Sequence, residues 1–245
     1  MSKTRREIDS LGELQVPSEA YYSTQTVWAI NNFPISGIPI SHLSQVVQAL
    51  AIVKKAAILA NKNLGNISAP KADAIVAGCD DIAAGGLITE FPIEVFQGGA
   101  GTSTTMNISE VIANRAIEHL GLPRGRYDII HPNDDLNQST NDVYPTAIRV
   151  AIQVSHRSLH QELRLLAGEL ENKCAEFASV LKLGRTQVRD AVPMTLGQEF
   201  RAFATTMWED VTSSFVFSRR SISAAPPWAK ESGATRRKSI WYEPA

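Results

Sequence analysis

The run Gly184-Arg185-Thr186-Gln187-Val188-Arg189-Asp190-Ala191-Val192-Pro193-Met194-Thr195-Leu196-Gly197-Gln198-Glu199-Phe200 places a polar trio ahead of Pro193 and Thr195, a helix-start signature. Two earlier segments share that layout, Gly98-Gly99-Ala100-Gly101-Thr102-Ser103-Thr104 and Gln138-Ser139-Thr140-Asn141-Asp142. In each, hydroxyl and amide side chains stand beside the free N–H groups of a helix start, where negative charge is favoured. Three such loops suit a small dicarboxylate. Each also has a plainer reading. Thr102 with Ser103, and Ser139 with Thr140 and Asn141, are residue types that cap helices everywhere, and Thr186 and Gln187 fit an ordinary loop.

Density separates the second loop from a simple cap. Asn133, Asn137, Gln138, Ser139, Thr140 and Asn141 crowd one stretch with His131, more hydrogen-bonding side chains than one cap requires. His131, followed by Pro132, reads either as an acid/base group or as a loop histidine. Cys79 and Cys174 lie far apart, pair with no histidine in a zinc-like spacing, and read as buried thiols of a reducing compartment. No Walker or dinucleotide fingerprint occurs, so neither a metal nor a nucleotide cofactor is expected.

The elements that position these loops are helical. Val46, Val47, Leu50, Val53, Ala57 and Ile58 fall on one helical face ahead of Gly65. Ile75, Cys79 and Ile82 mark a second helix from about Lys71 to Gly85. A third follows the glycine loop with Ile108, Val111, Ile112 and Leu120, and stops at Gly121. A fourth runs from near Asn141 to about Phe177 through Ile148, Ala151, Val154, Leu159, Leu163, Leu166, Leu170 and Cys174. Its length suits a bundle. A fifth covers about residues 195–215, with Leu196, Phe200, Phe203, Met207 and Val211 inward. Strand signals are confined to residues 180–183 and 14–16. The fold class is mainly α.

The chain has 245 residues and a formal net charge of −1, which argues against nucleic acid as a partner. Nothing approaches the roughly 20 continuous apolar residues of a membrane span. The charged start has no apolar run behind it, so a soluble, cytoplasmic protein is expected. From Ser218 onward the style changes. Pro226-Pro227 ends any helix, and Arg219, Arg220, Lys230, Arg236, Arg237 and Lys238 outweigh Glu231 and Glu243. That segment reads as a solvated, disordered tail or as a basic binding arm.

Taken together, Phe91-Pro92-Ile93-Glu94-Val95-Phe96-Gln97-Gly98-Gly99-Ala100-Gly101-Thr102-Ser103, His131-Pro132-Asn133-Asp134-Asp135, Gln138-Ser139-Thr140-Asn141-Asp142 and residues 184–200 resemble the aspartase/fumarase superfamily. The resemblance extends over about residues 8–209. Ala100 and Gln187 look more like aspartate ammonia-lyases, since fumarases usually have serine and histidine there. The resemblance implies an N-terminal helical domain over 1–140, the first part of a central long-helix bundle over 141–217, and a tail outside the family over 218–245.

It also implies a chemistry. Such enzymes remove a Cβ proton from a succinyl-type substrate through an aci-carboxylate and expel the Cα substituent, here ammonia, leaving fumarate. By resemblance Thr102, Ser139 and Thr140 would bind the β-carboxylate and Asn141 the amino group. Thr186 and Gln187 would face the α-carboxylate. His131, Asn133 and Asp134 match a peripheral dicarboxylate segment and are not read as catalytic. A class II fumarate hydratase is the alternative within this chemistry, and a non-catalytic chain associating with intact subunits is the alternative outside it.

Three departures qualify the resemblance. The family's base is a serine in a Gly-Ser-Ser-x-Met-Pro-x-Lys-x-Asn loop, and no such segment occurs in these residues. The family generally has two more residues between His131-Pro132 and Ser139, a difference of about half a helical turn. Resemblance is lost after Glu209-Asp210, so residues 212–245 are expected to be an out-of-frame or misassembled tail, testable by translating the neighbouring DNA in its other frames. In the family each site is built from loops of three subunits on a homotetramer. The isolated chain is therefore expected to show no lyase activity of its own, with an uncovered stripe at Leu159, Leu163, Leu166 and Leu170.

Overall fold

The structure, a computed structural model, describes residues 3–9, 12–97, 99–136 and 138–223. It is mainly helical, as the periodicity requires. The described residues form two compact units, one up to Ala151 and the other from Ile152 onward. The tail expected from 218 onward is helical as far as Ser223, and the rest of it lies outside the described residues.

In the first unit a hairpin of β1 (Thr4–Asp9) and β2 (Gly12–Pro17) precedes α1 (Thr24–Asn32), α2 (Ser44–Asn63), α3 (Ala69–Ala83) and α4 (Thr102–His119). The expected inward faces are inward. Val47, Leu50 and Ile58 of α2, Ile75, Cys79 and Ile82 of α3, and Ile108, Val111 and Ile112 of α4 have no exposed surface. Leu120 is the exception, exposed beyond the end of α4 because the helix stops one residue earlier. Gly78 lets α3 approach α4, since a Cβ there would lie 3.3 Å from the Ile112 carbonyl oxygen.

Helix α1 has no apolar signature and starts for another reason. The carboxylate of Glu110, buried on α4, accepts hydrogen bonds from the amides of Ser23, Gln25 and Thr26 at 2.8, 2.9 and 3.2 Å. The Thr26 hydroxyl donates a further bond at 2.6 Å. A side chain some 85 residues away thus caps the α1 N-terminus. Burial pushes the Glu110 carboxyl up to about 7, against the pull of those four donors.

Helix α5 (Thr140–Glu176) carries the chain from the first unit into the second. In the second unit β3 (Leu181–Thr186) and β4 (Arg189–Thr195) form an antiparallel hairpin, and α6 (Leu196–Ser223) follows. Pro193, expected at a helix start, lies inside β4, and the helix begins three residues later. Helix α6 packs antiparallel to the end of α5. Phe200 meets Phe177 at 5.5 Å between ring centroids, and the Trp208 indole donates to Glu171 at 3.0 Å. Gly197 is obligatory here, because a Cβ would sit 2.5 Å from the Cys174 carbonyl oxygen. Phe203, expected inward, is 52% exposed, and Leu159 and Leu166 are 56% and 49% exposed, because no described side chain of this unit covers that stripe.

Candidate active site

The glycine loop before α4 is shaped by two left-handed glycines, Gly99 at φ 77° and Gly101 at φ 88°. Gly101 is the N-cap of α4 and has no side chain to offer as a cap. Gln97 does that work instead. Its carbonyl oxygen accepts the Thr104 amide at 3.0 Å, and its amide nitrogen donates to the Thr104 hydroxyl at 2.6 Å. Thr104 is the third helical residue, so the donors of Thr102 and Ser103 ahead of it are the ones a helix start leaves for a ligand. Thr102 is exposed, with its hydroxyl folded over Gly99.

The second loop ends in a cap. The Ser139 hydroxyl accepts the Asn141 amide at 3.3 Å, and the Ser139 carbonyl accepts the amides of Asp142 and Val143 at 3.0 and 3.1 Å. Ser139 and Asn141 are exposed and Thr140 is half-buried. Pro145 lies in the second turn of α5, and its missing N–H leaves the Asn141 carbonyl without its usual helical donor. Both amide atoms of Gln138 are enclosed and have no hydrogen-bond partner among the described residues.

These two helix starts meet. A cavity of about 520 Å³ in the first unit is bounded by residues 95–97 and 99–101 on one side and by Asn141, Tyr144, Pro145 and Ile148 on the other. The contact that joins the walls is tight, since a Cβ on Gly101 would fall 2.4–2.6 Å from three ring carbons of Tyr144. Asn141 therefore lines the cavity directly, while Thr102, Ser139 and Thr140 stand next to its lining residues in sequence. Gly98 and Asn137 lie outside the described residues.

Lys54 fixes the approach to this loop. It is buried on α2, and its ammonium donates to the Leu136 carbonyl at 3.1 Å. Burial lowers its pKa to about 8 and pushes the Cys79 thiol beside it up to about 12. His131 has a local task. Its Nδ1 accepts the amides of Asn133 and Asp134 at 3.2 and 3.3 Å, which places the ring proton of the neutral form on Nε2. Asp135 closes the same turn by accepting the His131 amide at 2.8 Å and pairing with Lys71 at 2.9 Å. Asn133 and Asp134 are exposed on that turn.

Thr186 and Gln187 belong to the second unit, at the tip of the β3–β4 hairpin. Thr186 pairs with Arg189, and the two residues between them, Gln187 and Val188, take left-handed φ of 49° and 66°. The loop expected there takes the form of a two-residue turn of the kind that suits a twisted hairpin. Both Thr186 and Gln187 are exposed there.

The chain carrying these loops has known relatives. A family model described as Lyase matches residues 12–220. The chain belongs to that lyase family. It is 54% identical over 209 residues to an aspartate ammonia-lyase of Pseudomonas fluorescens, covering 84% of this chain and 44% of the relative. Against the aspartate ammonia-lyase of Escherichia coli K12 the identity is 48% over 210 residues, again 84% of this chain and 44% of the relative. A crystal structure of fumarate lyase:delta crystallin from Brucella melitensis bound to cobalt superposes with a TM-score of 0.86 at 54% identity, covering 89% of this chain and 48% of that one. A class II fumarase from Schistosoma mansoni gives a TM-score of 0.78 at 38% identity, with 86% and 45% covered. The chain thus spans under half the length of the curated relatives it matches. It is a lyase-family chain of the aspartase/fumarase superfamily, and its helical fold is theirs.

Two residues that shape the cavity were not singled out from sequence. Gln97 was legible in principle, as an amide side chain four residues before a left-handed glycine cap. Tyr144 carried no such signal, because a tyrosine early in an amphipathic helix reads as core.

Proposed function

We propose that these residues supply the carboxylate- and amine-recognising part of an aspartate ammonia-lyase, which eliminates ammonia from L-aspartate to give fumarate through an aci-carboxylate intermediate. The observation that carries this reading is the convergence of two helix N-termini on one cavity, with Asn141 in its wall. Thr102, Ser139 and Thr140 flank that wall and would grip the β-carboxylate. Uncharged donors gain strength as the second negative charge develops on that carboxylate, which is how such a site lowers the barrier. Asn141 would hold the amino group by its side chain, with its carbonyl, which Pro145 cannot engage, as a second acceptor for the ammonium. Thr186 and Gln187, presented on a stiff hairpin, would take the α-carboxylate, in a homotetramer whose sites draw loops from several subunits. The base would come from the family's serine loop, which these 245 residues do not contain.

The purified chain alone is therefore expected to release no fumarate from L-aspartate. Replacing the matching N-terminal segment of the Pseudomonas fluorescens relative with residues 1–209 should give an active chimera, read by the ultraviolet absorbance of fumarate. Thr102→Val in that chimera should lower turnover by about 100-fold. A chimera that dehydrates L-malate and ignores L-aspartate would overturn the assignment in favour of a fumarate hydratase.

A further inference from the structure

We propose that His156 and His160 form a two-imidazole chelate for a late first-row divalent ion, Zn²⁺, Ni²⁺ or Cu²⁺. The two residues are one helical turn apart on α5, inside the second unit, and use none of the cavity residues described above. Histidines at this spacing share one helix face and are a recurrent way of holding such ions.

The spacing of the two rings is close to that of a two-imidazole chelate. A metal–nitrogen bond of about 2.0–2.1 Å places each imidazole centroid about 3.2 Å from the ion. Two such rings at a ligand angle of about 90–110° then have centroids about 4.5–5.2 Å apart. The centroids of His156 and His160 are 5.4 Å apart, with the planes inclined at 56°.

The chemistry of the surroundings fits as well. His156 Nε2 is enclosed and has no hydrogen-bond partner among the described residues, so a ring nitrogen is held without the bond that normally satisfies it. A metal would take up a lone pair at one of the ring nitrogens. His160 opens on a second cavity of about 450 Å³, which gives an ion access and leaves room for water in the remaining positions. No third histidine, cysteine or carboxylate joins the pair among the described residues. Arg157 and Arg164, on the same cavity wall, oppose a bare cation and favour an anionic co-ligand such as chloride or hydroxide. These features describe an exchangeable site that prefers nitrogen-loving ions over Mg²⁺ or Ca²⁺.

Isothermal titration of the untagged chain with NiCl₂, and separately with ZnCl₂, tests this. One saturable ion per chain is expected, weakened roughly 10-fold or more in His156→Ala and equally in His160→Ala, because either change leaves a single ligand. His131→Ala and His119→Ala should bind like the parent. Circular dichroism of each variant distinguishes loss of ligand from loss of the helix, and His156→Gln provides a second substitution of similar size. Stoichiometric binding that survives both alanine variants, or no binding of either ion by the folded parent, would overturn the proposal.

Discussion

Gly101→Ala puts the joint between the two helix starts under direct test. The added methyl would lie 2.4–2.6 Å from Tyr144 ring carbons, and the residue would keep a φ of 88°. Carbon atoms in contact prefer about 3.5–4.0 Å, so the ring or the loop must retreat by about 1 Å. Overpacking of this kind costs about 1–3 kcal/mol. The left-handed backbone adds about 1–2 kcal/mol for a residue with a Cβ. The sum, about 2–5 kcal/mol, corresponds to about 2–4 °C of melting temperature per kcal/mol for a chain of this size. Thermal and urea unfolding of the parent, Gly101→Ala, Tyr144→Ala and the double variant separate the two parts. In the Tyr144→Ala background only the backbone part should remain, giving a coupling of about 1–3 kcal/mol between the positions. A coupling below about 0.5 kcal/mol, or a Gly101→Ala cost under about 1 kcal/mol, would refute the tight contact.

Glu110→Ala should cost about 3 kcal/mol or more by stranding three amides and a hydroxyl at the α1 start, and hydrogen exchange should quicken in α1 before it does in α3. Lys54→Met should change the pH dependence of stability. Because the folded pKa of Lys54 is about 8, below its unfolded value, this group binds more protons in the unfolded chain between about pH 8 and 10.4, and its contribution to stability rises with pH across that window, against the opposite trend of the Cys79 thiol. The variant should lose that rise, about 3 kcal/mol, and parallel pH profiles for parent and variant would exclude the effect. Val188→Gly should stabilise the hairpin by about 1 kcal/mol, since a β-branched, 92% exposed residue now holds a left-handed φ. An unfolding midpoint that does not move would count against the turn geometry.

Helices α2, α3, α4 and α5 were legible because each carries an apolar face of helical period, ended or begun by glycine or by Ser-Thr-Asn. Their bounds fall within about two residues of the expected ones, the usual scatter at helix ends. Helix α1 was not legible, since what starts it is Glu110, which no local window contains. Strand β4 was hidden behind Pro193, which reads as a helix start locally but is tolerated at the edge of a two-stranded hairpin. At the candidate site the polar residues themselves stood out by type and crowding. The parts that shape it did not, because Gln97, Tyr144 and Lys54 act by reaching across the fold, and each looks unremarkable among its sequence neighbours.

The Gly101–Tyr144 contact has a consequence for how such a cavity can change over generations. The separation of the two helix starts is set by the half-thickness of an aromatic ring resting on bare backbone, so the ring acts as a gauge block between them. A phenylalanine would leave the gap as it is, a tryptophan would wedge it wider, and a side chain at Gly101 would force it open. A cavity for a longer or shorter anion is thus reached by changing the size of these two positions together, since a change of size at either one alone strains or loosens the joint.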